Sequence, residues 1–132
     1  MSGNRYLLDT NAIVALLAKQ SELTTKLSDA VWVGISIISQ LEISVFDGLT
    51  SDDRLHLQAF QQQVDIIGLT TNEPLLLQQI VNVRRKYRFK LPDAIIVATA
   101  ITTDATLVTA DAQLKRVQEI SVFDFSRGAS SL

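Results

Sequence analysis

The stretch "RYLLDTNAIV", residues 5–14, begins as an apolar run and changes character at Asp9. The run before Asp9 predicts a short buried strand, and the residues after it can begin a helix. A carboxylate at such a junction either caps the helix or belongs to a site, because ligands of parallel sheets gather at the carboxyl ends of the strands. The question is therefore which other polar residues reach the same edge.

The composition is that of one folded domain. The chain has 132 residues, of which 47% are hydrophobic and 20% are charged, and both fractions are usual for a globular protein with a substantial core. No apolar run approaches the roughly 20 residues that span a bilayer, and the N-terminal residues lack the pattern of a signal peptide. We therefore expect a cytoplasmic protein that makes no contact with a membrane.

The counts of cysteine and histidine limit the kinds of catalytic and metal sites that the chain can form. The chain has no cysteine and a single histidine, His56, which excludes disulfides, thiolate zinc sites and cysteine nucleophiles and argues against histidine-rich metal sites. The net charge is -2, so the protein as a whole does not attract nucleic acid from a distance. Any contact with nucleic acid must therefore be local.

The chain alternates between strand and helix patterns. Strands are predicted at residues 5–8, 31–36, 64–69, 105–109 and 120–125. Helices are predicted at residues 11–18, 22–29, 37–49, 52–63, 72–86, 92–103 and 112–117. Asn72 is the expected N-cap of the long helix that ends near residue 86. This alternation predicts an α/β fold with three layers, α/β/α, around a central parallel sheet of four or five strands.

Two aspartates follow predicted strands. Asp9 ends the first strand, and Asp111 lies two residues beyond the strand "ATLVT". The two side chains share one edge of the sheet if the two strands are neighbours. Taken singly, each aspartate is explained better as a helix cap, because aspartate is a favoured residue at the start of a helix.

Two further acids lie in apolar helices. Glu42 falls inside a helical stripe made of Ile38, Leu41, Val45, Phe46 and Leu49. An ionised carboxylate pressed against a core is costly unless a cation or hydrogen-bond donors compensate it, so we interpret Glu42 as a site residue. Asp93 begins a helix that is apolar almost all round, where it could simply complement the helix dipole.

Asp9, Glu42, Asp93 and Asp111 come from four separate segments that a parallel sheet can bring to one edge. Without a cation these carboxylates would repel one another, and at least one of them would take up a proton. Oxygen ligands in an octahedral shell are what Mg²⁺ and Mn²⁺ prefer. The four acids therefore predict a site for a hard divalent cation.

One segment is strongly basic. The stretch "RRKYRFK" contains Arg84, Arg85, Lys86, Arg88 and Lys90, with two aromatic residues between them. It is either the cation-rich last turn of a helix, which complements the helix dipole, or a surface that positions an RNA backbone. Charge pattern alone favours the helix end, and the segment that follows, with Asp93, adds weight to a local contact with nucleic acid.

Four segments in this order resemble the PIN-domain family, and most closely the small VapC-type toxin ribonucleases of toxin–antitoxin pairs. They are "YLLDTNAIVALL", "ISIISQLEI", "LPDAIIVATAI" and "LVTAD", spread over residues 6–111. The resemblance implies a single PIN-like nuclease domain over residues 1–132. It also implies an endoribonuclease that uses one or two Mg²⁺ or Mn²⁺ ions, acts on RNA, forms a homodimer and is inhibited by a cognate antitoxin protein.

The same resemblance assigns the site residue by residue. The acidic site of the family corresponds to Asp9, Glu42, Asp93 and Asp111. Asn11 and Thr109 correspond to polar residues that orient the metal ligands or hold water. Leu114 departs from the family, which often has an aromatic residue at this position, and the change should affect packing more than chemistry.

Two other functions remain in view. A phosphate-accepting receiver domain also gathers carboxylates at strand ends, but "LLDTN" supplies one acid where a pair is needed and "LVTAD" contains no lysine. A PIN-fold module that binds RNA or a partner without cutting is the nearer alternative, because four acids do not by themselves demonstrate turnover. Apolar residues of the early helices, Leu16, Leu17, Leu23 and Leu27, form either ordinary core or the surface for a partner.

Overall fold

The computed structural model describes residues 4–126, which form five strands, six α-helices and one 3₁₀ helix. The strands are Arg5–Leu8 (β1), Trp32–Ser36 (β2), Asp65–Ile67 (β3), Thr106–Val108 (β4) and Val122–Phe123 (β5). The helices are Thr10–Leu17 (α1), Ser21–Leu27 (α2), Ile37–Val45 (α3), Ser51–Gln63 (α4), Pro74–Tyr87 (α5) and Leu91–Thr102 (α6), with the 3₁₀ helix at Ala112–Arg116. The predicted alternation is confirmed.

All strands of the sheet are parallel, in the order β3-β2-β1-β4-β5. Leu7 of β1 pairs with Gly34 of β2 on one side and with Leu107 of β4 on the other. From β1 the chain adds β2 and β3 on one side of the sheet and then β4 and β5 on the other side. The strand order therefore reverses between β1 and β4. This is the point at which open α/β sheets bind ligands.

The sheet separates two cores. Successive side chains of a strand point to opposite faces, so Leu7 packs into the core under α5 and α6, while Tyr6 and Leu8 pack into the core under α1, α2 and α4. Every residue from Ala94 to Ala100 of α6 is buried. The predicted three-layer α/β/α architecture is therefore confirmed. No helix in residues 4–126 has the length and apolar character needed to cross a membrane.

Two helix ends differ from the prediction. Asn72 does not cap α5. The helix begins at Pro74, its N-cap residue is Glu73, and no side chain caps it. Asn72 lies in the preceding turn, where its backbone N–H donates to the Thr70 hydroxyl. Helix α3 ends at Val45, four residues earlier than predicted. Pro74 has no N–H and its fixed φ suits the first turn, so α5 begins with one fewer unpaired donor.

The buried face of α3 is also different. Ser39 and Ile43 are fully buried one turn apart, whereas Leu41 is 56% exposed and Val45 is 76% exposed. Glu42 is exposed as well, so the prediction that it presses against the core is wrong. Helix α3 packs against α1 and α6. Of the predicted apolar stripe, Leu41, Val45 and Phe46 are exposed, whereas Ile38 and Leu49 are half-buried against the two cores.

Candidate functional site

A cleft of about 530 Å³ lies at the carboxyl edge of the sheet. Its walls include the four predicted acids, Asp9, Glu42, Asp93 and Asp111. Its remaining lining consists of Thr10, Asn11, Val14 and Phe46. The fold brings these acids together because the end of β1, the second half of α3, the start of α6 and the segment after β4 all line this cleft.

Asp9 is the most buried of the four acids, with 6% of its surface exposed. Its Oδ1 accepts a hydrogen bond from the Thr10 amide at 2.8 Å, and its Oδ2 accepts one from the Thr109 hydroxyl at 2.8 Å. Burial raises the pKa of Asp9 to about 6 against the opposing effect of these hydrogen bonds, and the charges of Asp93 and Glu42 raise the pKa further. Asp9 is therefore both the N-cap of α1 and a wall of the cleft.

Thr109 and Asn11 join the end of β1 to the end of β4. The Thr109 hydroxyl donates to Asp9 and accepts from the Asp111 amide at 3.0 Å and from the Asn11 side chain at 3.3 Å. Asn11 also accepts from the Ala110 amide at 3.1 Å. This buried network sets the distance between the segments that carry two of the acids.

Glu42 is held by a residue that the sequence reasoning missed. The Thr10 hydroxyl donates a hydrogen bond to Glu42 Oε1, which ties the first residue of α1 to α3. Nothing in the sequence marks Thr10 for this contact except its place next to Asp9. The contact depends on how α1 and α3 pack together.

Asp93 and Asp111 face the cleft from the other side. Partial burial raises the pKa of Asp93, the charges of Asp111 and Glu42 raise it further, and Lys90 lowers it. Asp111 caps the 3₁₀ helix by accepting from the Gln113 amide at 2.9 Å. The sequence left open whether Asp9 and Asp111 are helix caps or site residues. In the structure each aspartate both caps a helix and lines the cleft.

The donor chemistry of the cleft fits a hard divalent cation. All four charged groups are carboxylates, and their mutual repulsion contributes to the raised pKa values of Asp9 and Asp93. As placed, Asp9, Glu42 and Asp111 accept hydrogen bonds from protein donors, and no three acidic or histidine side chains in residues 4–126 are arranged to hold an ion.

The structure divides the basic segment into two groups. Lys86 pairs with Glu119 at 3.0 Å and lies 5.2 Å from the centre of the Tyr87 ring. Tyr87 and Phe89 are buried and stacked, with ring centres 5.3 Å apart, so these rings are core and are not a platform for bases. The remaining cations are exposed and form no ion pair with the described residues; they are Arg84, Arg85, Arg88 and Lys90.

The family model of the PIN domain matches residues 6–120. The chain is similar to a toxin–antitoxin complex from Klebsiella pneumoniae, with 25% identity, a TM-score of 0.69, and coverage of 89% of this chain and 99% of that chain. No curated protein matches the sequence.

Two further structures share the fold. One is VapBC2 from Rickettsia felis bound to a promoter DNA fragment, with 21% identity, a TM-score of 0.73, and coverage of 90% of this chain and 97% of that chain. The other is DNA-bound VapBC from Salmonella typhimurium, with 16% identity, a TM-score of 0.72, and coverage of 92% and 98%. The family-model match confirms the PIN-domain resemblance that the four sequence segments indicated.

Proposed function

The chain belongs to the PIN-domain family, and we propose that it is a divalent-metal-dependent endoribonuclease that hydrolyses RNA phosphodiester bonds as the toxin of a toxin–antitoxin pair. The observation that carries the proposal is the single cleft lined by Asp9, Glu42, Asp93 and Asp111. The proposal treats residues 1–132 as one PIN-like nuclease domain that acts in the cytoplasm. The membership in a nuclease family and the acid-lined cleft support it.

The four acids would hold Mg²⁺ or Mn²⁺, as one or two ions. Such an ion supplies a bound water of lowered pKa and neutralises charge on the phosphate oxygens. The protein contributes rigidity, because Asp9 is fixed by the Thr10 amide and the Thr109 hydroxyl. Asn11 and Thr109 orient these groups, and the Thr10 hydroxyl holds Glu42 against α1.

Single-stranded or looped RNA suits an open cleft, because its backbone and bases can be reached without a groove. Of the five residues predicted to bind RNA, Lys86 is already paired with Glu119. The others, Arg84, Arg85, Arg88 and Lys90, are exposed and are proposed to position the backbone without reading bases.

An antitoxin partner is proposed because several similar structures are toxin–antitoxin complexes. Of the early-helix residues considered as a partner surface, Leu23 is fully buried and belongs to the core. Leu16, Leu17 and Leu27 are half-buried and pack against the same core. Leu16 and Leu27 also line an open, mainly apolar groove with Phe60, so these two remain candidates for that surface.

A homodimer is also proposed. The exposed stripe of α3, with Leu41, Val45 and Phe46, is a cluster of large apolar side chains at the surface, and such clusters are typical of protein interfaces. Light scattering of the purified protein over a range of concentrations tests the assembly. A monomer at every concentration would contradict it.

Incubation of RNA with Mg²⁺ or Mn²⁺, with and without a chelator, tests the proposed reaction. The expected result is cleavage that requires the ion and disappears in Asp9→Asn, while exposed Asp47→Asn retains the wild-type rate. The competing function is a PIN-fold module that binds RNA or a partner without cutting it. Protein that binds the ion, measured by calorimetry, and still leaves RNA intact would favour that module.

A further inference from the structure

Arg116 is held in place by several contacts. It ends the 3₁₀ helix that Asp111 begins. Its Nε donates to the Gln113 carbonyl at 3.3 Å, and its Nη2 donates to the Tyr87 carbonyl at 3.1 Å and to the Gln113 side chain at 3.4 Å. The guanidinium carbon lies 5.1 Å from the centre of the Phe89 ring, which adds a cation–π contact.

These contacts leave part of the guanidinium available. Arginine carries five N–H donors, and the contacts of Arg116 involve only Nε and Nη2, so the two Nη1 hydrogens have no acceptor within residues 4–126. Arg116 is exposed and forms no ion pair with the described residues. An ordered guanidinium with free donors and an uncompensated charge is well suited to a phosphate, because little side-chain entropy is lost on binding.

Two more cations lie on the loop that Arg116 contacts. Arg88 follows α5 in a left-handed conformation, with φ of 61°, and is exposed. Lys90 is exposed and is the N-cap residue of α6, whose first turn carries Asp93. By contrast, Lys115 pairs with Asp124, so its charge is compensated within the protein.

We propose that Arg116, Arg88 and Lys90 form a phosphate-binding rim beside Asp93 and Asp111, across which the RNA backbone enters the cleft. This inference rests on the proposed ribonuclease function and specifies the side from which the substrate is held. The acids of the cleft repel phosphates and the net charge of the protein is -2, so cations beside the acids are needed to hold an RNA backbone there. Arg116 lies outside the basic segment "RRKYRFK" and was not predicted from the sequence.

A purely structural role for Arg116 would have a different effect on the salt dependence of RNA binding. If the side chain only fastens the 3₁₀ helix to the loop at residues 88–90, its loss lowers the melting temperature and leaves the salt dependence of RNA binding unchanged. A phosphate contact instead contributes to that salt dependence, by about 0.7 in the slope of log Kd against log salt for a single strand. The slope therefore separates the two roles.

The test measures binding of a short fluorescein-labelled single-stranded RNA by fluorescence anisotropy at several salt concentrations, with chelator present to prevent cleavage. The variants are R116Q, R116K and the pair R88Q/K90Q. The matched control is K19Q, which removes an exposed cation at the end of α1 remote from Asp9. Cleavage kinetics with Mn²⁺ and thermal melting are measured for the same proteins.

We expect R116Q to weaken RNA binding about tenfold and to reduce the salt slope by about 0.7, with the loss in KM rather than kcat. R116K should restore the slope because it keeps the charge, and R88Q/K90Q should reduce the slope by about twice as much. K19Q should bind like the wild type. A lower melting temperature with an unchanged slope in R116Q would overturn the inference.

The remaining outcomes separate this inference from the proposed function. Wild-type protein that neither binds nor cleaves the RNA would overturn both. Wild-type protein that cleaves RNA, with R116Q and R88Q/K90Q binding like K19Q, would overturn the rim alone. If R116Q lost affinity for polyglutamate and kept its affinity for RNA, the surface would serve an acidic protein partner and the proposal would be wrong.

Discussion

Replacement of Asp9 by asparagine is expected to stabilise the metal-free protein at neutral pH. Burial raises the pKa of Asp9 from its ordinary value of 3.8 to about 6. The ionised form is therefore disfavoured in the folded state, and the difference of roughly two pKa units corresponds to about 3 kcal/mol of stability lost at pH 7. The loss is absent below pH 3.8, grows between pH 3.8 and 6, and is complete above pH 6.

The hydrogen bonds of Asp9 reduce the expected gain. An asparagine can still accept from the Thr10 amide, but its NH₂ group would face the Thr109 hydroxyl, which already accepts from the Asp111 amide and from Asn11. Loss of one good hydrogen bond offsets about 1 kcal/mol. The net expectation is that Asp9→Asn raises the free energy of unfolding by about 2 kcal/mol at pH 7.

Urea unfolding of both proteins at a series of pH values between 3.5 and 7.5, with chelator present, measures the effect. The curves of the two proteins should diverge as the pH rises, whereas Asp47→Asn, at an exposed position near the cleft, should follow the wild type. Parallel curves, or a variant that is less stable at pH 7, would refute the reasoning. Added Mg²⁺ or Mn²⁺ should then stabilise the wild type and reduce its difference from Asp9→Asn, because the ion compensates the buried charge.

Four further substitutions test the structure and the proposed RNA contacts. Thr109→Val removes the hydroxyl that bonds Asp9 and should lower the free energy of unfolding by about 1–3 kcal/mol; urea unfolding should show a larger loss at pH 7.5 than at pH 4.5. Ile43→Ala should destabilise the protein by about 2–5 kcal/mol through a core cavity, whereas Val45→Ala should change stability of the monomer by less than about 0.5 kcal/mol; equal effects in thermal melts would contradict the assigned face of α3. Lys86→Gln should leave the salt slope of RNA binding unchanged, because its charge is already paired with Glu119.

The sequence alone determined the layers and the sheet. Strand and helix periods are local properties, so the alternation of apolar runs with amphipathic segments was sufficient to predict a parallel sheet covered on both faces. The apolar character of residues 94–100 likewise predicted the buried helix α6. Asp9 and Asp111 were placed at the carboxyl edge of the sheet because each follows a strand, and the adjacency of β1 and β4 brings them into one cleft.

Tertiary structure decided which faces are covered and which side chains meet. The helical period identified the apolar stripe of α3, but the position of α1 and α6 buries Ser39 and Ile43 instead and leaves Glu42 exposed beside the Thr10 hydroxyl. The stacking of Arg116 on Phe89 joins residues far apart in the chain. Contacts of this kind depend on the packing of whole helices and strands. The sequence pattern of one helix does not show which other helix or strand will pack against it.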